Sequence, residues 1–161
     1  MTERAIMKRY AFTLIALLVA TGLPVPASGH DAHSKFSAGE PGDPNRPSRT
    51  VKVIMAESGK RMLFEPATIE VRRGEQIRFV LTNEGGRDHE FMLATKADNR
   101  KHAAVMKKHP DMEHGDPNAK RLSPLDSGDL IWKFTQRGEF EYACLIPGHY
   151  EAGMHGKIMV K

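Results

Sequence analysis

From Val51 onward the chain is built of short runs in which apolar and polar residues alternate, the period-two signature of strands with one buried face. Residues 50–55 (TVKVIM), 68–71 (TIEV) and 76–82 (QIRFVLT) follow it, as do 129–134 (DLIWKF) and 139–143 (EFEYA). Met62, Leu63 and Phe64 precede Pro66, residues 89–94 (HEFMLA) open on a histidine, and 156–160 (GKIMV) read as a last strand. Turn signals punctuate the runs at Ser58-Gly59-Lys60, Arg73-Gly74-Glu75, residues 83–86 (NEGG) and Gln136-Arg137-Gly138. The pattern predicts an all-β sandwich of about eight strands, two sheets packed on a core of Phe, Leu, Ile and Val. No internal repeat interrupts it.

Two stretches break the alternation. Residues 96–126 are polar, and within them 103–108 (AAVMKK) predict a short helix stopped before Pro110. This insert reads as a partly helical flap between the strand that begins at His89 and the strand that runs into Cys144. At the other end, residues 11–23 form an apolar run behind Arg4, Lys8 and Arg9, with small residues Val25, Ala27 and Gly29 after it. That is the layout of a secretory signal over residues 1–27, cleaved after Ala27 or after Gly29, and it predicts a periplasmic protein. The run is too short to favour spanning a bilayer, so no membrane association is expected after cleavage; an uncleaved anchor is the alternative. Residues 28–49, rich in Pro, Gly, Ser and charge, predict a flexible leader that carries His30 and His33, and 50–161 form the domain.

The length of 161 residues suits one domain plus a leader. The formal charge of +4 falls on cleavage, because residues 1–27 hold three basic groups and one acid; 21 basic and 19 acidic residues remain. That balance is no nucleic-acid footprint. A single cysteine excludes an internal disulfide, and an unpaired thiol in an oxidising compartment needs protection that metal ligation supplies.

The cysteine stands in Cys144-Leu145-Ile146-Pro147-Gly148-His149-Tyr150-Glu151-Ala152-Gly153-Met154. Thiolate, imidazole and thioether follow one another at equal spacing along one short loop. A trigonal Cys and two His with a weak axial Met is a type 1 copper ligand set, and His89 is the candidate for the fourth ligand. Taken singly, a lone Cys is more often a small buried hydrophobe and a Met beside Gly more often packing; the joint spacing favours copper.

This loop resembles the ligand loop of the cupredoxins, the small blue or green copper proteins. Residues 64–71 (FEPATIEV), followed by Gly74 and a hydrophobic strand, resemble the N-terminal half of the same family. The resemblance implies a Greek-key sandwich and one redox-active Cu(I)/Cu(II) centre. Cys144 would then be the strong ligand, His89 and His149 complete the plane, and Met154 take the axial place. It also implies electron entry at the ring edge of His149, beside an apolar rim, and a transient redox protein partner. Among cupredoxins the chain is most similar to the periplasmic copper-tolerance branch. The loop is similar, too, to the last copper loop of multicopper oxidases, where His ligands of a trinuclear cluster flank the Cys; here the flanks are Ala143 and Leu145. A binuclear centre would need a second loop cysteine. Asp88 departs from an Asn that ties the ligand loops in many cupredoxins.

Further donors lie outside this set. Cleavage after Ala27 would leave Ser28-Gly29-His30 as a terminus able to wrap square-planar Cu(II), with His33 beside it; the alternative is a solvated tail. In the flap, Met106, His109, Met112 and His114 offer a second, exposed Cu(I) site, or else belong to a polar loop whose Met residues pack locally. His155 reads as a surface or capping residue. The expected function is copper tolerance through one copper site, in a monomer. The alternative is a soluble one-electron carrier. An enzyme such as a small copper oxidase is disfavoured, since the strong ligands fill one closed site.

Overall fold

The computed structural model describes residues 36–109 and 115–161. The signal expected over 1–27, together with His30 and His33, lies outside the described residues. In chain order the strands are β1 (Glu40–Pro41), β2 (Arg49–Ser58), β3 (Arg61–Glu65), β4 (Thr68–Val71), β5 (Gln76–Asn83) and β6 (His89–Ala94). The helix α1 (Lys96–Met106) follows, then β7 (Ala119–Leu122), β8 (Ser127–Lys133), β9 (Gly138–Ala143) and β10 (His155–Val160). They form two five-stranded sheets, ordered β1-β8-β5-β2-β3 and β4-β10-β9-β6-β7. The chain changes sheet repeatedly, so that β5 and β6, and again β8 and β9, are consecutive but face each other across the core. Two pairs, β2 with β5 and β4 with β10, run parallel.

Alternation in the sequence becomes burial in the sandwich. Ile77, Phe79 and Leu81 of β5 point inward and are fully buried. They meet Phe91 and Leu93 of β6, Tyr142 of β9 and Ile158 of β10 in one core. Phe91 is its hub: its ring stacks on Tyr142 at 5.2 Å, lies 5.2 Å from Phe79 and meets Phe64 edge-on at 6.0 Å. Full burial of such side chains contributes about 1.5–3 kcal/mol each.

β6 breaks the one-sided rule, because all six of its residues are buried. Its inner face joins the core, while Met92 on the outer face packs with Ala143 and Leu145 beneath Ala103 and Tyr150. The flap helix therefore covers the sheet just where β6 and β9 carry residues of the site. Thr95 starts that helix by accepting the N–H of Asp98. Asn99, buried on its underside, donates to Glu141 of β9 at 3.1 Å.

Three expectations are refined. Among the described residues, ten strands replace about eight. The additions, β1 and β7, are edge strands of two and four residues without an alternating pattern to reveal them. The helix begins at Lys96, well before residue 103, because the Thr95 cap and Asp98 fix its start. Residues 36–49, the described part of the expected leader, dock on the sandwich. Phe36 meets Trp132 edge-on at 5.3 Å, Ala38 is fully buried and accepts the Trp132 Nε1–H at 3.1 Å, and β1 pairs with β8. Gln76 holds Asp43 through its backbone, accepting its N–H at 2.8 Å and donating to its carbonyl at 2.9 Å. A segment rich in Pro and Gly can still gain order when its few apolar residues find a groove.

Candidate metal centre

Strand register aims His89 and Cys144 at the same space. His89 opens β6 on the inward face it shares with Phe91 and Leu93, and Cys144 continues the inward face of β9 past Phe140 and Tyr142. The loop after Cys144 then folds back. His149 N–H donates to Ile146 O at 3.0 Å, Ala152 N–H to Gly148 O at 3.1 Å, and Met154 N–H to His149 O at 3.1 Å. Cys144 N–H donates to Met154 O at 3.0 Å, which closes the loop where β10 begins. Gly148 and Gly153 take φ of 89° and 101°, a left-handed backbone that other residues adopt only at a cost. Met62 N–H on β3 donates to Ala152 O at 3.0 Å and pins the loop to the facing sheet.

The result is a compact donor set. One ligand atom each from His89, Cys144 and His149 falls within 4.8 Å of the others. His89 Nδ1 lies 3.3 Å from His149 Nδ1, which in turn lies 3.3 Å from Cys144 Sγ. His89 and Cys144 are fully buried and His149 is 7% exposed. Met154, also fully buried, stands beside them through its backbone bonds to Cys144 and His149. Among the described residues this is the group of His, Cys and acidic side chains close enough together to hold a metal ion.

Electrostatics tell the donors' protonation. Burial pushes the Cys144 thiol up to about 12, against the pull of the backbone N–H groups of Glu90 and Ile146. The Glu90 N–H reaches Sγ at 3.3 Å. Burial likewise lowers His89 and His149 below the ordinary histidine value, with mutual repulsion adding to the effect on His149. Both imidazoles are therefore neutral at neutral pH and hold a lone pair for a metal. A soft sulfur and two neutral imidazoles, desolvated together, fit copper; a cation is what displaces the thiol proton at physiological pH.

One neighbour escaped the sequence reading. Glu57, near the end of β2, places Oε1 2.9 Å from His89 Nε2 and accepts the Gly86 N–H on Oε2 at 2.9 Å. That backbone bond foremost, with His89 and Arg87 nearby, holds its carboxyl below the usual range. No motif links Glu57 to His89; only the pairing of β2 and β5 and the turn after β5 bring them together.

Met106 is buried at the end of α1, whereas His109 is exposed beyond it. Met112 and His114 lie outside the described residues, as do His30 and His33. His155 is exposed and stacks on Tyr150 at 4.7 Å, as a surface residue should. Asp88 pairs outward with Arg121 at 3.0 Å. Asn83 ties the turn before His89 to the end of β7, its side-chain amide donating to the carbonyls of Arg87, Leu122 and Ser123.

Comparison with known proteins agrees with this geometry. The copper-resistant cuproprotein CopI of Rubrivivax gelatinosus is 50% identical over 135 residues, covering 84% of this chain and 79% of that protein. The copper-resistant cuproprotein CopI of Pseudomonas aeruginosa is 35% identical, covering 92% and 94%. Among solved structures, auracyanin B superposes with a TM-score of 0.61 at 22% identity, over 77% of this chain and 96% of that one, a likeness of fold. Residues 50–161 match the family of copper-binding proteins described as plastocyanin/azurin. Since that span runs from the second strand through the whole donor loop to the last residue, the chain belongs to the plastocyanin/azurin family of copper-binding proteins.

Proposed function

We propose that the protein is a periplasmic cupredoxin of copper tolerance, which handles copper through one mononuclear, redox-active site held by His89, Cys144, His149 and Met154. The observation that carries this reading is the convergence of one buried thiol and two buried neutral imidazoles within 4.8 Å. Copper bound to such a set supplies a one-electron couple. The chain's own part is to keep the donors in place: backbone bonds at both ends of the loop fix Cys144 and Met154, and burial excludes water from the ligands. With no exposed donor in the set, the site suits holding and exchanging charge on copper better than turning over a substrate. The tolerance role draws support from the relatives' description as copper-resistant cuproproteins. Export draws support from the basic and apolar pattern of residues 1–27.

A soluble one-electron carrier is the second reading, favoured by the same closed and well-braced centre. A deletion strain grown on excess copper separates the two. Lost tolerance, restored by the wild-type gene and not by Cys144→Ser, is the expected result. Normal tolerance with a respiratory defect would select the carrier. A copper count on the purified protein adds to this: one tightly held ion per chain is expected. Any weaker copper should disappear on replacing His30, His33, Met106, His109, Met112 and His114.

A further inference from the structure

His89 is the one donor outside the loop, and the loop's own hydrogen bonds do nothing to orient it. Its ring has two nitrogens, and Nδ1 is the one that faces His149, at 3.3 Å from its Nδ1. Nε2 faces Glu57 Oε1 at 2.9 Å. An ionised carboxylate accepts hydrogen bonds and cannot donate them, so the proton of a neutral His89 must sit on Nε2 and the lone pair on Nδ1. The contact spans the sandwich, because Glu57 belongs to β2 in one sheet and His89 to β6 in the other.

The surroundings are shaped for this carboxylate. Its second oxygen accepts the Gly86 N–H at 2.9 Å, so both oxygens are engaged. Beside it Gly85 is buried, and a Cβ there would stand 2.7 Å from Oε2 and 2.8 Å from Oε1. The Gly85 N–H is itself held by Asn83 Oδ1 at 2.9 Å, which keeps the turn in place. A glutamate needed only for solubility would not require a glycine to make room for its head group.

We propose that Glu57 is the positioning residue of the copper centre: it locks His89 in the tautomer and ring orientation that present Nδ1 to the metal, and its negative charge favours Cu(II) over Cu(I). This rests on the copper reading above. A carboxylate on the far nitrogen of a ligating histidine fixes the ring and raises its basicity, and losing such a partner typically weakens metal affinity by about 10–100-fold.

Two variants separate the two roles. Glu57→Ala removes the acceptor; Glu57→Gln keeps an acceptor oxygen and removes the charge. Nitrogen-15 NMR of the metal-free protein reads the His89 tautomer without any copper, so this arm stands independently of the copper reading. Wild type is expected to hold the Nε2–H form alone, and Glu57→Ala to populate both forms. In copper-loaded protein, Glu57→Gln is expected to raise the reduction potential, a readout that a purely structural role would leave unmoved. A single Nε2–H tautomer in Glu57→Ala, or a wild-type potential in Glu57→Gln, would overturn the proposal. Should Glu57→Ala fail to fold, the potential of Glu57→Gln decides alone. Wild-type protein that binds no copper while keeping the Nε2–H tautomer would refute the copper reading and leave the Glu57–His89 lock standing.

Discussion

A thiol pushed up to about 12 by burial stays protonated in the metal-free protein, and the cation that displaces the proton gains a strong sulfur ligand. Cys144 is therefore the residue with most to lose. Cys144→Ser should abolish the intense visible charge-transfer band of the copper-loaded protein, and an optical spectrum checks it; a surviving band would remove Cys144 from the ligand set. Met154→Leu, which swaps a weak donor for an apolar side chain of similar size in a fully buried position, should keep copper and raise the reduction potential. A lowered potential on voltammetry would speak against an axial thioether. At this scale the sequence was a good guide wherever donors are neighbours along the chain. Cys144, His149 and Met154 sit on one loop, which the Cys144 N–H bond to Met154 O closes. Glu57 was invisible, because its partnership with His89 exists only through the packing of two sheets.

The elements hold the site from two sides. The backbone bonds from Cys144 to Met154 tie the loop to the junction of β9 and β10, and α1 covers the outer face of β6 and β9. The helix depends in turn on its first turn, where Thr95 accepts the Asp98 N–H and donates its hydroxyl proton to Asp98 Oδ2 at 2.8 Å. Thr95→Ala should destabilise the protein by about 1 kcal/mol, with faster amide exchange concentrated in α1. Denaturant unfolding and hydrogen exchange measure both, and uniform exchange across the domain would contradict a local cap. Strands such as β5 and β9 were legible because one buried face imposes alternation. β1 and β7 were not: Glu40-Pro41 and Ala-Lys-Arg-Leu at 119–122 gain their pairing from a neighbour's edge, not from a pattern of their own. The helix was half legible, its body seen in the alanines and its start missed although Thr95 and Asp98 mark it.

Across the whole molecule, ion pairs and hydrogen bonds join segments far apart in sequence, and several involve carboxylates. Glu75 accepts Arg49 Nε at 2.6 Å and the Arg72 N–H at 2.8 Å, and the Arg49 bond foremost lowers its pKa from the ordinary 4.5. Asp98 is lowered chiefly by Thr95. A carboxyl with a depressed folded pKa adds stability above its unfolded value and loses it as pH falls through the folded one. The metal-free protein should thus keep a constant stability contribution from Glu75 above about pH 5 and lose it on further acidification. Glu75→Gln should flatten that slope in unfolding curves recorded from pH 6 down to about 3; an unchanged slope would mean that the pair contributes nothing. The sandwich as a whole brings the start of β6 and the loop after β9, neighbours in one sheet, to one point. Anomalous diffraction at the copper edge from crystals of the copper-loaded protein measures that point directly. The account predicts a strong peak bonded to His89 Nδ1, Cys144 Sγ and His149 Nδ1 and facing the Met154 sulfur. A tightly bound copper located elsewhere, with these four side chains unligated, would contradict it.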